Sequence, residues 1–258
     1  MRPPEFEQLL YHVEDGVAWL QMNRPEARNA FSSRLYGEVK WGVRAADFDA
    51  AVDVIVLTGT EGSFASGGDL KETLERVTKP DGAFDMFAFT DNLPWDALRL
   101  CTKPVIAAIN GSCYAGGLIT AAWCDIQIAV ESAQFALTEG RVGMVDAMAP
   151  SVLFGRMPSP KLKYAYLTGK PFSAREAEQW GLITEVVADT DLERRTHEVI
   201  AEIRGTTPLA HAMLKRYMHE LIPQPWDHGG AAAFRSPELI EGLTSFAEKR
   251  APTFRAVP

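Results

Sequence analysis

The run Pro104-Val105-Ile106-Ala107-Ala108-Ile109-Asn110-Gly111-Ser112-Cys113-Tyr114-Ala115-Gly116-Gly117 decides the fold. Its first half is apolar and partly β-branched with no polar alternation, the pattern of a strand buried on both faces. It then enters a glycine-rich turn, and residues 116–123 continue as an apolar stretch of helical length. The same order occurs upstream, where Val52-Asp53-Val54-Ile55-Val56-Leu57-Thr58-Gly59 leads to Phe64-Ala65-Ser66-Gly67-Gly68-Asp69-Leu70. A third apolar run covers residues 125–130. Helical periodicity occupies residues 32–46 and 84–101, so strands and helices alternate and a parallel α/β architecture is the economical reading. Residues 8–13 and 16–22 alternate around Asp15-Gly16 and predict a hairpin at the start. After residue 146 the pattern reads as helices only. Ser173 with Glu176 predicts a capping box on a short helix ending at Gly181, and amphipathic stretches follow at 190–204, 207–222 and 236–249. The expected organisation is an α/β core over residues 1–190 and a helical region over 191–258.

A chain of 258 residues that is 47% hydrophobic can bury one large core. Its 26 basic and 34 acidic residues give a net charge of −8 with no basic block, so neither nucleic acid nor an anionic membrane is the expected partner. Cys101, Cys113 and Cys124 sit in or beside apolar segments without metal-ligand spacing, and the odd count fits buried thiols in a reducing compartment. No apolar run approaches the roughly 18 residues of a membrane span, and the N-terminus lacks a signal core, so a cytoplasmic location is expected. No metal cluster, Walker motif or nicotinamide fingerprint is present in the sequence.

Glycine directly after a strand lets backbone approach a ligand closely, and a helix starting there aims free N–H groups at it. Two such turns from neighbouring strands can present two donors to one oxygen, which is what a developing oxyanion requires. Gly68 and Gly116 are the candidate donors. Glu139, closing Gln134-Phe135-Ala136-Leu137-Thr138-Glu139, is the candidate base, although by itself it reads first as an exposed carboxylate at a strand end.

Taken together and in order, these segments resemble the crotonase (enoyl-CoA hydratase/isomerase) superfamily. The resemblance covers nearly the whole chain. It includes Asn23-Arg24-Pro25-Glu26-Ala27-Arg28-Asn29-Ala30-Phe31, both glycine turns, Leu167-Thr168-Gly169, Gly181-Leu182 and Ser245-Phe246-Ala247-Glu248-Lys249-Arg250. It implies a crotonase-like α/β spiral of ββα units with a C-terminal helical trimerisation region. It also implies an acyl-CoA thioester as ligand, a homotrimer or dimer of trimers, and no cofactor beyond the substrate's own coenzyme. The N–H groups of Gly68 and Gly116 would hold the thioester oxygen, and losing one such donor costs about 2.7–4 kcal/mol of transition-state stabilisation. Ala27, Arg28, Ala30, Ala65, Ser66, Asp69 and Leu70 would cradle the coenzyme. Phe246 and Lys249 match positions that reach the coenzyme of a neighbouring subunit. Ile119, Met144 and Met148 would line the acyl site, joined by Phe84, Met86, Phe87, Phe89 and Trp95, whose spacing alone reads as core packing.

The reaction implied depends on where the sequence departs from the family pattern. Hydratases of the family hold one water between two glutamates. Here the second is Glu139, but the first position, three residues after Gly116, carries Ile119. General acid–base groups contribute about 10²–10⁴ in rate, so the two-glutamate mechanism is weakened. A single glutamate is the pattern of the family's enoyl-CoA isomerases, and an apolar Ile119 would exclude water and favour return of the proton to carbon. Asp146 is a second polar candidate, either catalytic or a helix cap. The similarity of Gly111-Ser112-Cys113-Tyr114-Ala115-Gly116-Gly117 to the aromatic hydratase-lyase branch leaves that chemistry, or a hydrolase, as an alternative. A non-catalytic acyl-CoA binder is the third. None of the five histidines lies in a motif, so all five are expected at the surface or in helix packing.

Overall fold

The computed structural model describes residues 5–78, 91–145, 148–222 and 236–254. Asp15 and Gly16 both adopt positive φ (46° and 74°) and close an antiparallel hairpin between β1 (Leu9–Glu14) and β2 (Val17–Met22). Such a turn matches the right-handed twist of the strands it joins. Strand β2 then pairs in parallel with β3 (Val54–Gly59), which begins a parallel run through β5 (Val105–Ile109), β7 (Ile126–Val130) and β10 (Glu185–Val187). The six-stranded order is β1-β2-β3-β5-β7-β10.

Each central strand of this sheet leads into a short strand of a second one. The second sheet has the order β4-β6-β8-β9, with β4 (Ser63–Ala65), β6 (Ser112–Tyr114) and β8 (Gln134–Ala136) parallel and β9 (Phe172–Ser173) antiparallel. Strands β3 and β4 are followed by the helix Leu70–Val77, and β5 and β6 by the helix Gly116–Trp123. The chain therefore winds as stacked ββα units, as the family resemblance implies.

Side-chain alternation places the core on both faces of the six-stranded sheet. Ile55 and Leu57 of β3 pack with Leu35, Val39 and Val43 of the helix Ser33–Phe48 in the main core. Val54 and Val56 face the other way, onto Val199 and Ile200 of the helix Leu192–Arg204. That helix shares the sheet's core although it follows residue 190.

The expectation of helices alone after residue 146 is corrected by β9 and β10. Each has only two or three residues between helices, too few for period-two alternation to register. The capping box forms as read: Ser173 Oγ accepts from Glu176 N at the start of the helix Ala174–Gln179. The three thiols are buried, and burial pushes Cys101 up to about 12 and raises Cys113 and Cys124 as well.

Candidate active site

Strands β4, β6 and β8 lie side by side, with Ala65 paired to Cys113 and Tyr114 to Ala136. Three segments therefore leave the same sheet edge in one direction: Ser66-Gly67-Gly68, Ala115-Gly116-Gly117 and Leu137-Thr138-Glu139. The edge beyond the carboxyl ends of parallel strands is where α/β folds place their ligands.

The first segment is tied to residues 27–31. Ser66 N donates to Arg28 O at 3.1 Å and Ser66 Oγ to Ala27 O at 3.2 Å. Phe31 N donates to Gly67 O and Asp69 N to Phe31 O, both at 2.8 Å, making a single parallel bridge between Phe31 and Gly68. Arg28 and Asn29 take left-handed φ values of 52° and 55°. The conformation is held by the buried Asn29 amide, whose Nδ2 donates to Ser63 O at 2.7 Å while Oδ1 accepts from Arg24 N at 2.8 Å. Arg24 also donates to Ala30 O at 2.6 Å and pairs with Asp69 at 3.1 Å. The Asp69 carboxylate further accepts from Lys71 N and Glu72 N, capping the helix Leu70–Val77. Asp69 thus holds the loop in place through its side chain, and the residues expected to cradle a coenzyme form one hydrogen-bonded wall.

The second segment turns at Ala115, which has φ 47° and ψ −122°, donates from N to Ala136 O at 2.8 Å and accepts from Ile119 N at 3.0 Å. Gly116 and Gly117 open the helix with no side-chain cap. First-turn N–H groups have no acceptor within a helix, so they are available at the sheet edge. Gly117 has to be glycine here, because a Cβ would lie 2.7 Å from Ala65 Cβ and 2.8 Å from Ala65 O. The two glycine loops therefore pack backbone against backbone.

Glu139 begins the third segment as the first residue of the short helical turn Glu139–Val142, and it is only 4% exposed. It is not the solvated carboxylate that the residue alone suggests. Ile119 is fully buried in the main core, so no carboxylate stands at the first position.

The C-terminal helix Pro237–Ala247 sits on the rim of this site within the same chain. Its Leu239 and Leu243 pack with Leu70, Leu74, Val77 and Met144. Gly242 lies against the backbone of Val142, where a Cβ would collide. Phe246 and Lys249, at the end of that helix, are exposed. Asp146, the side chain of Met148, and Phe84, Met86, Phe87 and Phe89 lie outside the described residues. Trp95 is buried.

Tyr36 is the residue that sequence reasoning missed. Its hydroxyl stands 4.0 Å from where a Cβ on Gly68 would be, and a Cβ on Gly116 would collide with it. The only signal was a tyrosine on the core-facing stripe of the helix at 32–46, where a phenol oxygen requires a polar environment. A cleft of about 1090 Å³ opens elsewhere, between Asp125, Arg156, Lys215, His219 and the apolar Leu214 and Met218, and includes none of the site residues.

The description of the enoyl-CoA hydratase/isomerase family matches residues 12–256. The chain belongs to this family. It is 34% identical to a probable mitochondrial enoyl-CoA hydratase of Dictyostelium discoideum, over 92% of this chain and 87% of the relative. It is 30% identical to the probable enoyl-CoA hydratase echA8 of Mycobacterium bovis, over 96% and 98%. The solved structure of EchA1_1 from Mycobacterium paratuberculosis superposes with a TM-score of 0.80 at 31% identity, covering 96% of this chain and 98% of that one. As an enoyl-CoA hydratase/isomerase family enzyme, the protein acts on acyl-CoA thioesters. Among the described residues no helix is long and apolar enough to cross a membrane, and no group of three His, Cys, Asp or Glu could hold a metal.

Proposed function

We propose that this family member is an enoyl-CoA isomerase that works with a single carboxylate. The observation that carries the reading is the contrast between a buried Glu139 and a fully buried, apolar Ile119 at the position where a hydratase needs its other glutamate. The thioester oxygen sits between the N–H groups of Gly68 and Gly116, which lowers the cost of forming an enolate. Glu139 removes a C2 proton from a 3-enoyl-CoA, the electron pair delocalises into the thioester as a dienolate, and Glu139 returns the proton at C4. Exclusion of water from the carboxylate suppresses hydration. The wall built from residues 27–31 and 65–70 holds the coenzyme, which arrives with the substrate, and no other cofactor is needed.

An atypical hydratase is the second reading, favoured by the names of the curated relatives. Asp146 is assigned no step. The assembly is a trimer or a pair of trimers. A cytoplasmic setting fits three buried thiols.

The test is incubation with a trans-3-enoyl-CoA in heavy water, with deuterium followed at C2 and C4. Conversion to the 2-enoyl isomer with exchange at both carbons is expected, falling at least about 10²-fold in Glu139→Gln. Binding of the thioester without conversion or exchange would overturn the isomerase. Hydration of a 2-enoyl-CoA without isomerisation would establish the second reading.

A further inference from the structure

Two backbone donors account for the family's oxyanion chemistry, but a third polar group, the Tyr36 hydroxyl, lies beside both glycines in this chain. Tyr36 projects from the helix Ser33–Phe48, which is fixed at its start by Ser32 Oγ accepting from Leu35 N at 3.0 Å. Its ring stacks on Phe31, with centroids 4.3 Å apart and planes 9° from parallel. Phe31 is itself bridged to Gly68 through the hydrogen bonds to Gly67 and Asp69. The loop that positions one backbone donor therefore also positions the phenol. Tyr36 is 6% exposed, and its oxygen lies on the Cβ side of Gly116 and within reach of Gly68. The phenol oxygen therefore borders both residues whose N–H groups are the candidate donors. A phenol in that place can donate to whatever oxygen the two N–H groups hold.

We propose that Tyr36 is a third hydrogen-bond donor to the thioester oxygen, acting on the same enolate that the isomerase reading requires. It rests on that reading and adds a catalytic residue to it. The proton stays on the phenol oxygen throughout. Its contribution grows as negative charge collects on the enolate, so removing the hydroxyl should lower turnover more than binding.

The test uses the intact protein and hexanoyl-CoA labelled with ¹³C at the carbonyl, a saturated thioester that neither isomerisation nor hydration consumes. Infrared difference spectra report polarisation of the bound carbonyl. The parent protein should shift the band to lower wavenumber, and Tyr36→Phe should shift it less, with Kd changed by under about threefold. Deuterium exchange at C2 should fall about tenfold, the effect of one hydrogen bond. If Tyr36→Phe does not fold, 3,5-difluorotyrosine at position 36 keeps the shape while strengthening the donor, and should enlarge the shift. A parent shift that is unchanged in both variants overturns the role of Tyr36 and leaves the enolate reading standing. Absence of any shift in the parent overturns both.

Discussion

Gly116 carries the sharpest consequence at the scale of single residues. A methyl group there meets the Tyr36 oxygen, itself held by the Phe31 stack. Relief requires the phenol or the loop to move, and either movement spoils the geometry of the donors. Gly116→Ala should therefore lower kcat by about 10²-fold or more, as losing an oxyanion donor does, while the fold persists. Steady-state kinetics beside a thermal melt would check it, and unchanged kcat would show that the N–H is not aimed at the reacting oxygen. The cysteines make a second case. Burial disfavours the thiolate at Cys101, Cys113 and Cys124, and only a thiolate attacks a disulfide reagent. The native protein should release no thiol signal at pH 8, and three per chain after unfolding in guanidinium; a rapid native signal would contradict their burial. Gly68 and Gly116 could be named as candidates because glycine pairs after buried strands are a visible pattern, whereas Glu139 was singled out by the family resemblance, since alone it reads as an exposed carboxylate at a strand end. Tyr36 was not, since a tyrosine on a helical stripe looks like packing until the loops it faces are known.

Elements show the same division between what pattern reveals and what topology adds. The long strands β3, β5 and β7, the opening hairpin and the helix Gly116–Trp123 are readable because each is long enough to display its period or its turn residues. The short strands β4, β6 and β8 are not, because their three residues merge into the glycine turns that follow. Yet these strands align the three candidate segments, so the candidate residues could be named from sequence while their convergence could not be derived. The helix Pro208–Glu220 adds an electrostatic case. His219 packs edge-on against Trp123 and its Nδ1 bonds to Arg99 O at 2.7 Å. Desolvation holds its pKa below the usual histidine value, with the positive charges of Lys215 and Arg156 acting in the same direction and the Arg99 carbonyl and Asp125 opposing. Above the unfolded-state value of about 6.5 the ring is neutral in both states, and its contribution to stability is complete. As pH falls below that point the unfolded chain takes up the proton first, so stability drops until the folded pKa is passed. Urea titrations from pH 7.5 to 5 should show this loss, and His219→Gln should remove part of the slope. Equal slopes in the two proteins would show that His219 does not contribute.

The whole molecule raises a question that its own core does not answer. The helix Pro208–Glu220 buries Lys215 and His219 against the body of the chain and turns Leu209, Met213, Leu214, Tyr217 and Met218 outward. The buried Lys215 pairs with Asp125 at 2.7 Å, so the polar side of the helix is the one committed to the fold. Phe154, at 65% exposure, lies beside the same cleft as Leu214 and Met218. An apolar stripe facing outward costs solubility in a monomer and is the expected surface of an assembly. The proposed trimer or pair of trimers would cover it with further copies of the chain. Light scattering should then give about three or six times the 28.4 kDa chain mass. Leu214→Asp combined with Met218→Asp should reduce that to a single chain without a comparable loss of secondary structure, because both side chains are already outside the core. A parent that runs at the mass of one chain would refute the assembly. A double variant that keeps the parent mass would place the subunit contacts on another face.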